Sequence, residues 1–311
     1  MDYRLWTMVC AIALSLAVIG CAAPQYAIRG TPAPDESTEA HAIEQSISAE
    51  QAREFERRGA RPIGQDERVS GFAVQRLIDR LSAVTERSWL RYRALLYRDQ
   101  DPNAAALADG RIYISTGLMS YLAQRGPSTS LRAVVSEQSE VEAELAFILG
   151  HEIGHTVAQH LVSRYHALEQ QQLLMSLVAA GASAATRGAA GAGQIAMDVA
   201  SMLQDVANSG YGQSQELEAD QLGIRYVIRA GFDPRAALDL LQDFARFDRP
   251  SPFLRTHPYV VQRRADLERY LTDIGYADRS RAQQLRQAQA LYPKESISWK
   301  NLQQQIDRLE R

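Results

Sequence analysis

Apolar and polar positions change their period several times along the chain. From Val9 to Gly20 about twelve residues are apolar, and positions 22–66 are then rich in Pro, Glu, Gln, Ser and Arg. The first stretch is too short for a ~20-residue membrane helix and fits the apolar core of a signal peptide, placed at residues 1–20. The second predicts a flexible tether over 21–66 with one short polar helix. Val69, Phe72, Leu77, Ile78, Leu81 and Val84 recur at three-to-four spacing, which predicts an amphipathic helix. Trp89–Tyr97 and Asn103–Leu107 read as strands, Asp109-Gly110 as a turn, and Arg111–Thr116 alternates like a half-buried strand. From Gln138 onward the pattern is helical. Leu173–Leu203 is dominated by Ala, Gly, Ser and Met with Leu and Val among them, but Arg187 and Asp198 leave no uninterrupted run of ~18 apolar residues, so a close-packed or mobile helix near a cleft is expected rather than a membrane span. Residues 271–311 read as a polar helical tail.

Composition narrows the classes. A 46% hydrophobic and 23% charged chain of 311 residues has the means to bury a core, in one large domain or two small ones. A net charge of −3 gives no basic footprint, so nucleic acid is excluded as an expected partner. The two cysteines are Cys10 and Cys21, so a chain processed after residue 20 has no internal disulfide. Val18-Ile19-Gly20-Cys21 resembles a bacterial lipobox, which implies cleavage before Cys21 and a diacylglycerol on its thiol; the alternative is an ordinary signal peptide with an incidental cysteine. Ala22, where Asp would imply retention in the inner membrane, implies the outer membrane, with the protein facing the periplasm.

The chemistry centres on His151-Glu152-Ile153-Gly154-His155, preceded by apolar Leu145, Phe147, Ile148 and Leu149. At 100° per residue His151 and His155 project from one helix face, where two neutral imidazoles can share one zinc. Glu152 lies one step round, able to reach a water without ligating the metal. Charged groups on so apolar a helix need a partner, which argues against a chance polar face. A third ligand is sought 61 residues after His155, in Gln215-Glu216-Leu217-Glu218-Ala219-Asp220. Glu216 and Asp220 share a helix face; one carboxylate can bind the metal while the other accepts the free N–H of a ligating histidine. A solvated acidic face is the plainer reading of that segment. His160 turns five residues away from His155 and reads as surface polar, while His41 and His166 read as solvated.

Together these residues resemble the zinc peptidases of the HtpX and CAAX-prenyl-protease type, among which the periplasmic lipoprotein and BepA-like members are nearest. The resemblance rests on HExxH followed by Glu216-Leu217-Glu218-Ala219-Asp220. It extends to the Asn103–Leu118 strand pair, Glu142-Ala143-Glu144-Leu145-Ala146 ahead of the motif, and Thr256-His257-Pro258 with Arg263 beyond. It spans about residues 69–270 and places the peptidase domain at 67–270.

The resemblance implies one zinc per chain, held by His151, His155 and Glu216, with Glu152 as general base and Asp220 supporting a ligand. His257 would stabilise the oxyanion or occupy the open metal position at rest, and Arg263 would assist at the oxyanion or hold the His257 loop. The Arg111–Thr116 strand would form the cleft edge that pairs with substrate backbone. The implied fold is α+β and mainly helical, a zincin-like domain with a small antiparallel sheet beside the active-site helix. The implied partners are polypeptides, the membrane through the lipid, and the outer-membrane protein assembly machinery. The implied function is an envelope endopeptidase that removes unfolded or misassembled proteins. A zinc-bound chaperone with latent proteolysis is the competing class; a lipid or glycan hydrolase has no supporting feature.

Overall fold

A computed structural model describes residues 26–125, 140–185, 210–246 and 255–309, apart from positions 292 and 295. The signal-peptide stretch, Cys21, Arg187 and Asp198 lie outside the described residues. The chain opens with α1 (Thr38–Arg57), capped by Ser37, whose hydroxyl accepts the Ala40 N–H at 3.1 Å. This is no short helix in a loose tether. Ala40, Glu44, Ile47, Ser48 and Ala52 form a buried stripe along its 20 residues. The stripe is hard to see because small and charged side chains occupy it. The segment before α1 is also held: Tyr26 Oη donates to Asp273 Oδ2 at 2.8 Å, and the Arg29 and Asp35 N–H groups donate to Gln221 and Gln159 side chains.

After β1 (Arg61–Pro62) and α2 (Val74–Ser82) come β2 (Arg93–Tyr97), β3 (Ala104–Ala106) and β4 (Arg111–Ser115). The sheet among the described residues has the order β1-β2-β4-β3. It is mixed rather than antiparallel, because β2 and β4 run parallel while the other two pairs are antiparallel. The β3–β4 hairpin, turned by Gly110 at φ +90°, lays β3 outside β4. The expected cleft edge at Arg111–Ser115 is therefore an inner strand, and Ala104–Ala106 is the edge. Nor is β4 half-buried. Ile112 and Ile114 enter the main core on one face, while Tyr113 packs with Ala52, Tyr97 and Leu107 on the other, which α1 covers.

Then follow α3 (Thr116–Arg125), α4 (Glu140–Val157), α5 (His160–Ala185), α6 (Gln213–Arg229), α7 (Ala236–Phe244) and α8 (Val260–Asp273). Helices α9 (Tyr276–Gln289) and α10 (Ile297–Leu309) close on a small cluster of Ala282, Leu285 and Ile306. No helix among the described residues is long and apolar enough to cross a membrane.

Helix α4 is buried on every side from Ala143 to Val157, as its uniform apolarity requires. It touches the sheet on one flank and α6 on another, and the α4–α6 contact is glycine-mediated. A Cβ on Gly154 would lie 2.9 Å from the Ala219 carbonyl, and one on Gly223 would lie 2.9 Å from the His151 amide nitrogen. The two helices that carry the motif residues thus meet backbone to backbone.

Candidate metal centre

That close contact brings together side chains 61 and more residues apart. Among the described residues, His151, His155, Glu216 and His257 form a buried group able to hold a metal ion, one ligand atom from each lying within 4.8 Å of the others. His155 Nε2 is 3.0 Å from His151 Nε2, and His257 Nδ1 is 3.1 Å from both His151 Nε2 and Glu216 Oε1. Three ring nitrogens facing one another offer more lone pairs than protons, and the Glu216 and Glu152 carboxylates add negative charge beside them. A cation at the centre answers both demands, and imidazole nitrogen plus one carboxylate is a donor set that suits zinc. The residues present fit the metal.

Around this group the supports are in place. His151 Nδ1 faces Asp220 Oδ1 at 2.8 Å, the contact that fixes which ring nitrogen is free. Arg263 Nε and Nη2 donate to the two Asp220 oxygens at 2.8 and 2.7 Å. Its Nη1 lies 2.8 Å from Glu216 Oε2 and donates to the His257 carbonyl at 3.3 Å. Of the two roles expected of Arg263, these contacts match the second: it holds the loop and neutralises carboxylates. Burial disfavours the Glu216 and Asp220 charges, yet Arg263 holds both carboxyls below their usual range, Glu216 well below. Burial also drives the His155 imidazole well below its usual range, into the neutral form a metal takes.

Glu152 occupies the gap between the group and the sheet edge. Its Oε2 accepts the Ala106 N–H of β3 at 2.8 Å, while Oε1 lies 3.3 Å from His257 Nε2. Beside it a cavity of about 330 Å³ is bounded by Ala105 and Ala106 of β3, Glu54 and Phe55 of α1, Tyr211, and His257. A larger cavity of about 510 Å³ opens between α2 and β2 and contains none of these groups.

His160 corrects the sequence reading. It is buried, not surface polar, with Nδ1 2.8 Å from His155 Nδ1. The 100° rule fails because α4 has already ended: Gln159 adopts φ +51° and turns His160 back under the motif as the first residue of α5. Its Nε2 faces Glu218 Oε2 at 3.4 Å, and that hydrogen bond holds the Glu218 carboxyl below its usual range. His41 and His166 are partly exposed, each beside a glutamate. Tyr211 was not legible at all. Its ring stacks on His155 at 3.7 Å, and its N–H donates to the Thr256 carbonyl at 3.1 Å, tying the α6 approach to the His257 loop.

Two histidines a helical turn apart, a glutamate beside them and a carboxylate from a second helix make this the site of a HExxH metallopeptidase. The chain belongs to peptidase family M48, whose model matches residues 72–271. It is 29% identical over 260 residues to the Beta-barrel assembly-enhancing protease of Escherichia coli K12, covering 80% of this chain and 49% of that protein. It is 24% identical over 209 residues to the Mitochondrial metalloendopeptidase OMA1 of Schizosaccharomyces pombe, covering 64% of this chain and 52% of that one. Metalloprotease LoiP of E. coli K12 is 25% identical over 170 residues, 54% of this chain and 58% of LoiP. The chain thus spans about half the length of these curated relatives.

Proposed function

We propose that this chain is a zinc-dependent endopeptidase of the bacterial cell envelope, lipid-anchored through Cys21 at the outer membrane and facing the periplasm, that cleaves unfolded or misassembled proteins. The observation that carries the peptidase reading is Glu152: one oxygen held by the edge strand, the other facing His257 Nε2 at the metal-ligand group. When bound, zinc supplies Lewis acidity for the scissile carbonyl and lowers the pKa of a water towards 7. Glu152 Oε1 takes the water's proton and passes it to the leaving amine, while Oε2 keeps its orientation through Ala106. His257 Nε2, 3.3 Å from Glu152 Oε1, donates to the developing oxyanion, a contribution typically of ~2.7–4 kcal/mol. The outer edge of β3, whose Ala106 N–H is held by Glu152, adds an extended substrate strand beside Glu152 through its remaining backbone groups, so sequence tolerance is broad and exposed segments are preferred.

The envelope location rests on the lipobox-like Val18–Cys21 and on the E. coli relatives, one of them named for β-barrel assembly. By that similarity the substrates are outer-membrane β-barrel proteins that have failed to assemble. The test is the purified full-length chain with zinc, offered an unfolded β-barrel precursor and its folded form. Cleavage of the unfolded form alone supports the reading; cleavage of neither, or of the folded form only, defeats it.

One observation favours a second reading, an assembly factor with latent proteolysis. The ligand group and Glu152 are each at most 3% exposed, so the site is closely covered, with His257 in contact with both carboxylates. A Glu152→Gln chain that restores envelope integrity to a deletion strain would favour this reading; one that does not favours the peptidase.

A further inference from the structure

The two α4 histidines both aim Nδ1 at a partner, but the partners differ in kind. His151 meets a carboxylate, Asp220, at 2.8 Å, whereas His155 meets a second imidazole, His160, at 2.8 Å. His160 is 3% exposed, and its far nitrogen faces Glu218. We propose that His160 is a positioning residue for His155: Glu218, His160 and His155 form a relay that leaves His155 Nε2 bare and aimed at the metal.

The argument is a proton inventory, and it rests on the metal-centre reading above. His155 Nε2 is the nitrogen that faces His151, Glu216 and the centre of the group, so as a ligand atom it carries no proton. A neutral imidazole then carries its proton on Nδ1. Two nitrogens 2.8 Å apart share one proton, so His160 Nδ1 must be the acceptor and its own proton sits on Nε2. That nitrogen faces Glu218 Oε2, an acceptor, at 3.4 Å. Every hydrogen in the relay has one direction. The His155 ring is also held from the side by Tyr211, which stacks on it at 3.7 Å, and the His160 backbone is held by Gln215 Nε2, which reaches its carbonyl at 3.4 Å. Without the acceptor, His155 Nδ1–H is a buried donor with no partner, and both tautomer and ring angle lose their support.

The experiment is zinc affinity of the full-length chain, by competition with a chromophoric chelator, alongside thermal unfolding of the metal-free protein. His160→Leu is expected to weaken zinc binding 10- to 100-fold with little change in metal-free unfolding. His160→Asn, whose Oδ1 falls near the place of the lost Nδ1 and accepts, is expected to restore most of that affinity. Glu218→Leu, one step further out, is expected to weaken binding by less than His160→Leu. Wild-type affinity in His160→Leu, or His160→Asn as weak as His160→Leu, overturns the relay. Should His160→Leu fail to fold, Glu218→Leu decides: weakened binding supports the relay and wild-type affinity overturns it. A wild-type chain that takes up no zinc overturns the metal-centre reading itself, a failure distinct from either variant result.

Discussion

Two clusters of buried charge flank the C-terminal end of α4, and they are finished differently. On the side of α1, Arg87 is fully buried and Glu44 nearly so. Arg87 Nη1 and Nη2 donate to the two Glu44 oxygens at 2.8 and 3.1 Å, Nη1 reaches the Thr156 carbonyl at 3.2 Å, and Nε reaches Glu36 at 3.1 Å. Gln159 Nε2 adds a donor to Glu44 at 2.9 Å. Each polar atom is met by another of this chain. On the side of α6, one residue away from Thr156, His155 belongs to a group in which the ring nitrogens of His151, His155 and His257 face each other with no donor between them. Both clusters bury charge at their centres, and both are expensive to assemble. The first closes on itself and fixes where α1 sits. The second needs something from outside, and that incompleteness marks it as the chemical one.

The largest expected effect separates chemistry from architecture. Glu152→Gln keeps an oxygen for the Ala106 N–H, so the fold should stand, but it removes the base. Proteolysis of an unfolded substrate should drop by ~10²–10⁴-fold with the unfolding temperature little changed. A variant that retains more than a tenth of wild-type turnover would take Glu152 out of the proton path.

The closed cluster should respond the other way. Arg87→Met leaves Glu44 buried without its cation and should lower stability by roughly 3–5 kcal/mol in urea titrations. Replacing both residues, Arg87→Met with Glu44→Leu, should recover much of that loss, because no charge is then stranded. If the single variant were as stable as wild type, the network would be ornamental and α1 would be held by its other contacts, among them Ile47, Ala52 and Ser48.

Zinc gives the middle-sized contrast. Metal that binds the folded state alone should add about 2.7 kcal/mol at 100 times its Kd, so chelation should lower the unfolding temperature of wild type. Arg87→Met should show the same zinc increment on a lower baseline, and Glu216→Ala should lose it. A zinc increment unchanged in Glu216→Ala would remove that carboxylate from the ligand set.

How much of this was written legibly in the sequence follows the same division. His151, Glu152, His155, Glu216 and Asp220 were identifiable because a metal centre draws on few residue types at helical spacings, His257 and Arg263 only through the family resemblance, and the structure brings all seven together. The helical body was legible because the buried face of α4 is continuously apolar. The misses came where long-range contact overrode local pattern. The α1 stripe includes a glutamate that looks solvated until Arg87, 43 residues on, is known to meet it. His160 was misplaced because one left-handed residue, Gln159, ends the helix whose geometry the prediction assumed. The inner strand was taken for the edge because Ala104–Ala106 has no side-chain pattern of its own, and only pairing reveals it.

Gly223 gives the smallest and most discriminating test, because helix propensity and packing predict opposite signs there. In an unconstrained helix, Gly→Ala stabilises by roughly 0.5–1 kcal/mol. On α6 the new methyl would sit 2.9 Å from the His151 amide nitrogen and 3.1 Å from the Gly150 carbonyl carbon, neither of which can swing aside like a side chain. The helices must part, and overpacking of this kind typically costs ~1–3 kcal/mol, so Gly223→Ala should be net destabilising. Arg87→Met on the other side of α4 should leave zinc affinity nearly untouched, whereas Gly223→Ala should weaken it. The reason is that α6 carries Glu216 and Asp220 while α4 carries His151 and His155, and the glycine contact sets the distance between the two pairs. Urea titration and chelator competition on the same sample read both quantities. If Gly223→Ala lost stability and kept its zinc affinity, the ligands would have to follow the metal rather than the backbone, and the preorganisation argued for this centre would be wrong.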